Sequence, residues 1–130
     1  MEINTHLGID RALCGEPVRL EPGLAEVRLE TTPVMAADAR GLVHGGFLFG
    51  LADYAAMLAV NDPHVVLGAA EVRFLKPNAV GDVIVARARV VGEQGKKREV
   101  EVDVARGEEP VFSGRFTCFV LPRHVLEGRA

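Results

Sequence analysis

A nearly continuous apolar stretch, from Val43 to Asn61, constrains the fold of this chain more than any other feature. Between Phe47 and Val60, fourteen residues, only Asp53 and Tyr54 carry a polar group. As a helix this segment would be about 21 Å long, too short to cross a bilayer. A helix that is apolar on every side is buried, so we expect the core helix of a globular domain.

Asp53 is a carboxylate in the middle of this predicted helix. Burying an unpaired charge is unfavourable by several kcal/mol, so its position needs an explanation. In a structural interpretation, Asp53 pairs with a buried arginine or with backbone N–H groups. In a functional interpretation, it faces a ligand pocket, where perturbed carboxylates also occur. The residues alone leave both interpretations open.

His44, Gly45 and Gly46 lead into the predicted helix. Glycines allow another group to come very close to the backbone, and the first N–H groups of a helix have no partner within it. Such N–H groups favour negative charge, including the partial charge of a polarised thioester oxygen. The alternative is that the two glycines only permit a tight turn.

The order of these residues resembles the central helix of hotdog-fold acyl-CoA thioesterases of the phenylacetyl-CoA (PaaI-like) group. A second similarity lies in the sequence VRFLKP at 72–77, followed by Gly81 and Asp82. Together the similar segments extend from about Asp38 to the last predicted strand. The residues of the helix that carry the resemblance are His44, Gly45, Gly46, Phe47, Leu48, Leu51, Ala52, Asp53 and Asn61.

The resemblance implies an α+β hotdog fold, with an antiparallel sheet wrapped around the long helix. It also implies an enzyme that hydrolyses the thioester of a small or medium acyl- or aryl-acyl-CoA at a subunit interface. Coenzyme A is then part of the substrate, and no separate cofactor or metal is expected. The alternative is a non-catalytic module that binds acyl-CoA or another acyl ligand, because a fold does not determine a function.

The resemblance also implies roles for individual residues. Asp53 is expected to be the general base or the nucleophile, and the Gly46 N–H is expected to stabilise the oxyanion. Tyr54 either lines the pocket or forms a hydrogen bond within a dimer. The residues expected to contact the substrate are His44, Gly45, Asp38, Tyr54 and Asn61.

Asp38 departs from the family pattern, because it lies six residues before His44, where the family commonly carries Asn. Asn both donates and accepts hydrogen bonds, whereas an ionised Asp only accepts them. A role in orienting substrate or water is therefore not transferred directly. The alternative for Asp38 is an ordinary turn residue, since Asp favours turns.

The spacing of Gly46 and Asp53 has a consequence for assembly. Seven residues place them on one helix face, about 10 Å apart along the axis. The carbonyl oxygen needs its hydrogen-bond donor within about 3 Å, and the carbonyl carbon needs the carboxylate at a similar distance. Gly46 and Asp53 of one straight helix are too far apart to meet both requirements. We therefore expect a composite site in a homodimer or in a homotetramer built as a dimer of dimers, as the resemblance also implies.

The composition fits a single domain over residues 1–130, with 48% apolar and 25% charged residues. A net charge of −3 gives no reason to expect nucleic acid. The start of the chain lacks the pattern of a secretory signal, and no apolar run predicts a membrane span, so we expect a cytoplasmic protein. Two distant cysteines and four scattered histidines give no metal-binding pattern.

The remaining pattern predicts a short helix and several strands. Alternating apolar and charged residues indicate strands with one solvent-exposed face. Consecutive strands after a long helix indicate an α+β domain. The predicted hairpin loop over 92–98 carries Lys96, Lys97 and Arg98, which either contact coenzyme A phosphates or are simply solvated. Lys76, Arg87 and Arg89 are comparable. The predicted elements are a helix at 5–13, with Thr5 as N-cap, and strands at 17–21, 24–31, 65–75, 82–91, 100–105 and 111–121.

Overall fold

The computed structural model describes residues 1–129. One face of a six-stranded sheet packs on a single long helix, and every pair of neighbouring strands is antiparallel. The elements are α1 (Arg11–Cys14), β1 (Glu16–Glu21), β2 (Leu24–Glu30), α2 (Gly45–Val60), β3 (Val65–Phe74), β4 (Val83–Gln94), β5 (Lys97–Arg106) and β6 (Glu109–Val120), with 3-10 turns at Pro33–Met35 and Val125–Gly128. The strand order is β1-β2-β4-β5-β6-β3. The α+β hotdog architecture predicted from the resemblance is confirmed.

Helix α2 begins two residues before Phe47 and ends where the apolar pattern ends. His44 precedes it with extended backbone, and Asn61 closes it in the left-handed conformation at φ 55°. Asn tolerates this conformation better than most residues and is a common helix terminator. Nine of the sixteen residues of α2 are buried, and the helix contacts all six strands. The core of the domain is therefore the interface between α2 and one face of the sheet.

One face of α2 remains open, which corrects the prediction of a helix buried on every side. Gly46 is exposed, and Phe49, Gly50 and Asp53 are partly exposed. Residues spaced by three, four and seven positions share a helix face. The uncovered residues therefore form a stripe that starts at the first turn of α2 and reaches Asp53.

The edge of the sheet at β3 is also uncovered. This strand is ten residues long and pairs only with β6 among residues 1–129. Its central residues, 68–71, are exposed. A long edge strand with free N–H and C=O groups is a template for pairing with another chain, and proteins usually cover or interrupt such edges.

The predicted helix at 5–13 is mostly wrong. Only Arg11–Cys14 is helical, and its N-cap is Asp10, whose side chain accepts a hydrogen bond from the Ala12 N–H. The Thr5 hydroxyl instead bonds the His6 ring at 2.8 Å, and His6 itself has a φ of 55° that no α-helix contains. The positive φ of His6 therefore breaks the predicted helix before Arg11.

The hairpin loop predicted at 92–98 is shorter in the structure. Strand β4 continues to Gln94 and β5 starts at Lys97, so only Gly95 and Lys96 connect them. Gly95 has a φ of 59°, as the first central residue of a tight two-residue hairpin turn can require. The strands at 24–31, 65–75 and 111–121 agree with the structure to within one or two residues at each end.

Gly15 offers a test of the packing between α1, β2 and α2. Its φ is +110°, and a Cβ there would lie 2.6 Å from Val27 Cγ1 and 2.9 Å from Leu51 Cδ1. Gly81 has a similar φ of +100°, but a Cβ there meets nothing within 4 Å. We predict that Gly81→Ala lowers the free energy of unfolding by about 1–2 kcal/mol through backbone strain. Gly15→Ala should lower it by a further 1–3 kcal/mol or so through overpacking.

Urea unfolding of both variants measures the two losses. Equal losses would contradict the packing described around Gly15.

Candidate active site

The start of α2 is fixed by hydrogen bonds from the preceding residues. The Val43 N–H donates to the Asn78 carbonyl at 2.9 Å, and the His44 N–H donates to the Met35 carbonyl at 2.9 Å. The Phe47 N–H donates to the His44 carbonyl at 3.0 Å. These bonds hold the chain on both sides of the glycine pair and so determine the direction in which α2 begins.

Gly45 and Gly46 have different neighbours. A Cβ at Gly45 would lie 3.0 Å from Phe74 Cε1, and a Cβ at Gly46 would lie 3.0 Å from the His44 ring. The N–H groups of both glycines have no acceptor among residues 1–129. The groups that lie close to the glycine backbone are therefore aromatic side chains of the same chain, Phe74 and His44. The two N–H groups, at the positive end of α2, remain free to bind negative charge.

Asp53 has no partner within the described chain. Its Oδ1 atom is buried without a hydrogen bond, and Asp53 forms none of the salt bridges among residues 1–129. Burial raises the pKa of Asp53 from its ordinary value of 3.8 to about 6. Within one chain, the ion-pair interpretation of Asp53 is therefore wrong. A perturbed carboxylate on an open helix face is a candidate for chemistry.

The two cysteines do not supply a nucleophile. Burial, followed by the negative charges of Asp53 and Glu99, raises the pKa of Cys118 to about 12. Burial, with Asp10 and Asp53, also raises the pKa of Cys14. The thiolate is the reactive form of cysteine, so both shifts disfavour the reactive form. No group of three histidine, cysteine or acidic side chains within residues 1–129 could hold a metal ion.

Tyr54 lies next to Asp53 in sequence but not on the open face of α2. Its side chain is 1% exposed, and its ring centroid is 6.1 Å from that of His6. The hydroxyl has no hydrogen-bond partner in the described chain. Burial raises the pKa of Tyr54, and the nearby Arg11 guanidinium offsets part of that rise. Tyr54 thus packs against the N-terminal segment in one chain, and a contact with substrate stays a prediction.

Asn61 also contacts the N-terminal segment. Its Oδ1 accepts from the Asn4 N–H and its Nδ2 donates to the Glu2 carbonyl, both at 2.8 Å. These bonds tie the start of the chain to the C-terminal end of α2, at the opposite end of the helix from Gly46. The structure thus gives the Asn61 side chain an anchoring role, and its assignment to substrate binding stays a prediction.

Asp38 shapes the turn that precedes the helix. Its Oδ1 accepts from the Arg40 N–H at 2.9 Å and from the Leu42 N–H at 3.1 Å. These bonds agree with the turn interpretation of Asp38. Asp38 also lines a cleft of about 400 Å³ beyond the start of α2, so it remains close to the candidate site.

Asn78 is a residue of this region that the sequence did not reveal. It is 4% exposed, its carbonyl holds the start of α2 through Val43, and its Nδ2 is buried without a partner. Arg106 donates to Asn78 Oδ1 at 3.0 Å and to the Pro77 carbonyl at 3.0 Å. An asparagine directly after Lys-Pro is typical of a loop, so the pattern gave no sign that it is buried.

Some relatives of this chain are longer proteins. A methylthioribose-1-phosphate isomerase from Aquifex aeolicus is 55% identical over 122 residues, which is 93% of this chain and 27% of that protein. A transcription factor FapR from Caldanaerobacter subterraneus is 29% identical over 99% of this chain and 64% of its own length. The chain therefore spans only part of the length of these curated relatives.

Solved structures and a family model agree on the fold. An uncharacterized protein from Pyrococcus horikoshii is 58% identical over 97% of each chain, with a TM-score of 0.96. A mutant of the phenylacetic acid degradation protein PaaI from Thermus thermophilus is 31% identical over 85% of this chain and 96% of that chain, with a TM-score of 0.78. The model of the thioesterase superfamily matches residues 40–113. The chain is therefore a member of the thioesterase superfamily, with the hotdog fold of its PaaI-like group.

Proposed function

We propose that this protein is an acyl-CoA thioesterase acting on small or medium acyl- or aryl-acyl-CoA substrates. The observation that carries the proposal is Asp53, a carboxylate with a buried oxygen and no partner in the described chain. It lies on the same open face of α2 as Gly46, whose N–H is free at the first turn. Membership of the thioesterase superfamily supports the proposed chemistry.

The Gly46 N–H and the Asp53 carboxylate have different roles in the proposed thioester hydrolysis. The Gly46 N–H donates to the carbonyl oxygen as negative charge develops there. Asp53 either attacks the carbonyl carbon or takes a proton from the attacking water, and the thiolate of coenzyme A leaves. Both roles require the ionised form of Asp53. A pKa of about 6 leaves most of the carboxylate ionised at pH 7 while making it more basic than an ordinary aspartate.

The two groups act together only if two chains contribute to one site. Within one helix they are about 10 Å apart along the axis. Two α2 helices that pack antiparallel through their open faces would bring Asp53 of one chain close to Gly46 of the other. Pairing of the free edge of β3 with a second copy would continue the sheet and hold the helices side by side. We therefore propose a homodimer, alone or as half of a tetramer.

A non-catalytic acyl-ligand module is the second candidate. The similarity to FapR transcription factors favours it, since those relatives share the domain and are not named as enzymes. Asp38 at the position where the family commonly has Asn also favours altered chemistry. Release of free thiol from a panel of aryl-acetyl, short, medium and long acyl-CoAs distinguishes the two candidates.

The mass in solution tests the proposed assembly. One chain has a mass of 14.0 kDa, so a dimer or tetramer should scatter light as a particle of about 28 or 56 kDa. The apolar open face of α2 and the free edge of β3 are the reasons to expect association. A mass near that of one chain at micromolar concentration would count against the shared site.

Gly46→Pro tests the oxyanion donor. Proline removes the N–H and is tolerated in the first turn of a helix. We predict that kcat falls about a hundredfold or more, as for loss of one oxyanion donor. Gly46→Ala is the matched control, because it adds a Cβ against the exposed His44 ring but keeps the N–H. Full activity in a folded Gly46→Pro protein would show that this N–H is not used.

Asp53→Asn tests the carboxylate through activity. The amide keeps the shape of the side chain but has neither basicity nor nucleophilicity, so hydrolysis should be nearly abolished while acyl-CoA still binds. In the wild type, kcat/KM should fall as the pH is lowered through about 6, because Asp53 becomes protonated. Wild-type thiol release from the Asp53→Asn protein would remove Asp53 from the mechanism.

The same substitution tests the burial of Asp53 through stability. The folded chain binds a proton at Asp53 more tightly than the unfolded chain, so Asp53 makes the wild type less stable as the pH rises from about 4 to about 6. Asp53→Asn should therefore raise the free energy of unfolding by about 1–3 kcal/mol at pH 7, with little effect near pH 4. A loss of about 3–5 kcal/mol would instead indicate a stranded cationic partner.

A further inference from the structure

A loop at residues 77–82 pairs with the segment that leads into α2. The Val43 N–H donates to the Asn78 carbonyl at 2.9 Å, and the Val80 N–H donates to the Gly41 carbonyl at 2.8 Å. Val43 lies three residues before the proposed oxyanion donor. The position of the 77–82 loop therefore determines where the first turn of α2 begins.

Arg106, the last residue of β5, holds this loop through its guanidinium group. Its Nη1 atom lies 3.0 Å from the Pro77 carbonyl oxygen, 3.0 Å from Asn78 Oδ1 and 3.2 Å from Asp82 Oδ2. Its Nη2 atom donates to Glu109. A guanidinium presents its donors in a fixed planar arrangement, so one side chain can hold several acceptors of a loop in place.

The side chain of Asn78 depends on Arg106 for its hydrogen bonding. Asn78 is 4% exposed, and Arg106 is the one donor to its Oδ1 atom within residues 1–129. Its Nδ2 atom is buried without a partner in the same part of the chain. Loss of Arg106 would leave the whole amide buried and unpaired, which is strongly unfavourable. We therefore expect the backbone at Asn78 to shift and to carry with it the carbonyl that accepts from Val43.

Backbone hydrogen bonds secure the far end of the loop without Arg106. The Gly81 N–H donates to the Thr31 carbonyl at 3.0 Å, and the Thr31 N–H donates to the Asp82 carbonyl at 2.9 Å. The Thr31 hydroxyl also donates to the Asp82 carbonyl, at 2.7 Å. Loss of Arg106 should therefore displace the loop near Asn78 while the domain stays folded.

We propose that Arg106 is a positioning residue for the Gly46 N–H. It acts through Asn78, whose carbonyl holds Val43. The inference rests on the proposed function, because that function makes this N–H the oxyanion donor. No hydrogen bond or salt bridge among residues 1–129 joins Arg106 to Gly46 or Asp53. Misplacement of a catalytic group by about 1 Å can lower a rate about a hundredfold, so a residue outside the site can control its activity.

Thiol release from an acyl-CoA compares Arg106→Gln with a matched control, Arg115→Gln. Arg115 lies on the same sheet and donates to Glu101 at 2.8 Å, and this one hydrogen bond of its side chain within residues 1–129 does not involve the 77–82 loop. In Arg106→Gln, kcat should fall about tenfold or more, because the oxyanion donor is misplaced. KM should stay near its wild-type value, because a positioning residue does not bind the substrate. Arg115→Gln should keep both constants.

Hydrogen exchange followed by NMR reports on the loop without any use of activity. The Val43 N–H is protected by its bond to the Asn78 carbonyl, so it should exchange about tenfold faster or more in Arg106→Gln. The amides of β2 should exchange as in the wild type. Should Arg106→Gln fail to fold, Arg106→Lys takes its place in both measurements, because it keeps a charge beside Asp82 but lacks the planar fork of donors.

Four results would overturn the inference. They are an unchanged kcat in the Arg106 variant, a rise in KM without a fall in kcat, an unchanged exchange rate at Val43, and an equal increase in exchange at Val43 and in β2, which would indicate a loss of overall stability. A wild type that hydrolyses no acyl-CoA would contradict the proposed enzyme. The exchange rate at Val43 would then decide alone whether Arg106 holds the start of α2.

Discussion

The packing of one apolar helix against all six strands is the interaction on which the rest of the structure depends. Nine of the sixteen residues of α2 are buried, and the helix contacts all six strands. This burial is the main favourable contribution to folding. It also fixes the one face of α2 that stays open, and therefore the positions of Gly46 and Asp53. The candidate site is a consequence of how the core is filled.

The open face combines two features that are unfavourable in a single chain. Asp53 is a partly buried carboxylate without a partner in the described chain, and β3 is a long edge strand without a neighbour on one side. A buried charge lowers the stability of an isolated domain, and a free strand edge invites aggregation. A second copy that covers this face would remove the free edge and would create the enclosed site that a perturbed carboxylate can use.

Much of the fold could be predicted because its signals are local. The apolar run ending at Asn61 predicts α2, and the alternation of charges over 24–31 predicts β2. The prediction for the segment 5–13 was mostly wrong, because the Asn4 N–H donates to the Asn61 side chain, which in turn donates to the Glu2 carbonyl. These bonds hold the start of the chain against the end of α2. A pattern within a short segment cannot indicate that its neighbour in the fold is Asn61, almost sixty residues further along the chain.

The candidate site could be predicted only in part, for the same reason. Glycines at a helix start and a lone aspartate can be identified in a sequence, but the absence of a cationic partner for Asp53 in the described chain is known only once all neighbours are placed. The cleft that Asp38 lines was not predictable. It forms where the turn around Arg40 and the loop at Asn78 come together, next to the bridge between Leu42 and Ala79.

The central claim is that each site takes Gly46 from one chain and Asp53 from another. Co-expression of Gly46→Pro and Asp53→Asn chains, each inactive alone, tests it most directly. If the chains pair at random, about half of the dimers contain one chain of each variant. Each mixed dimer has one intact site out of two, so about a quarter of all sites are intact. The mixture should therefore show about a quarter of the wild-type kcat. Thiol release from the mixture that is no greater than that of the separate variants would contradict a site shared between two chains.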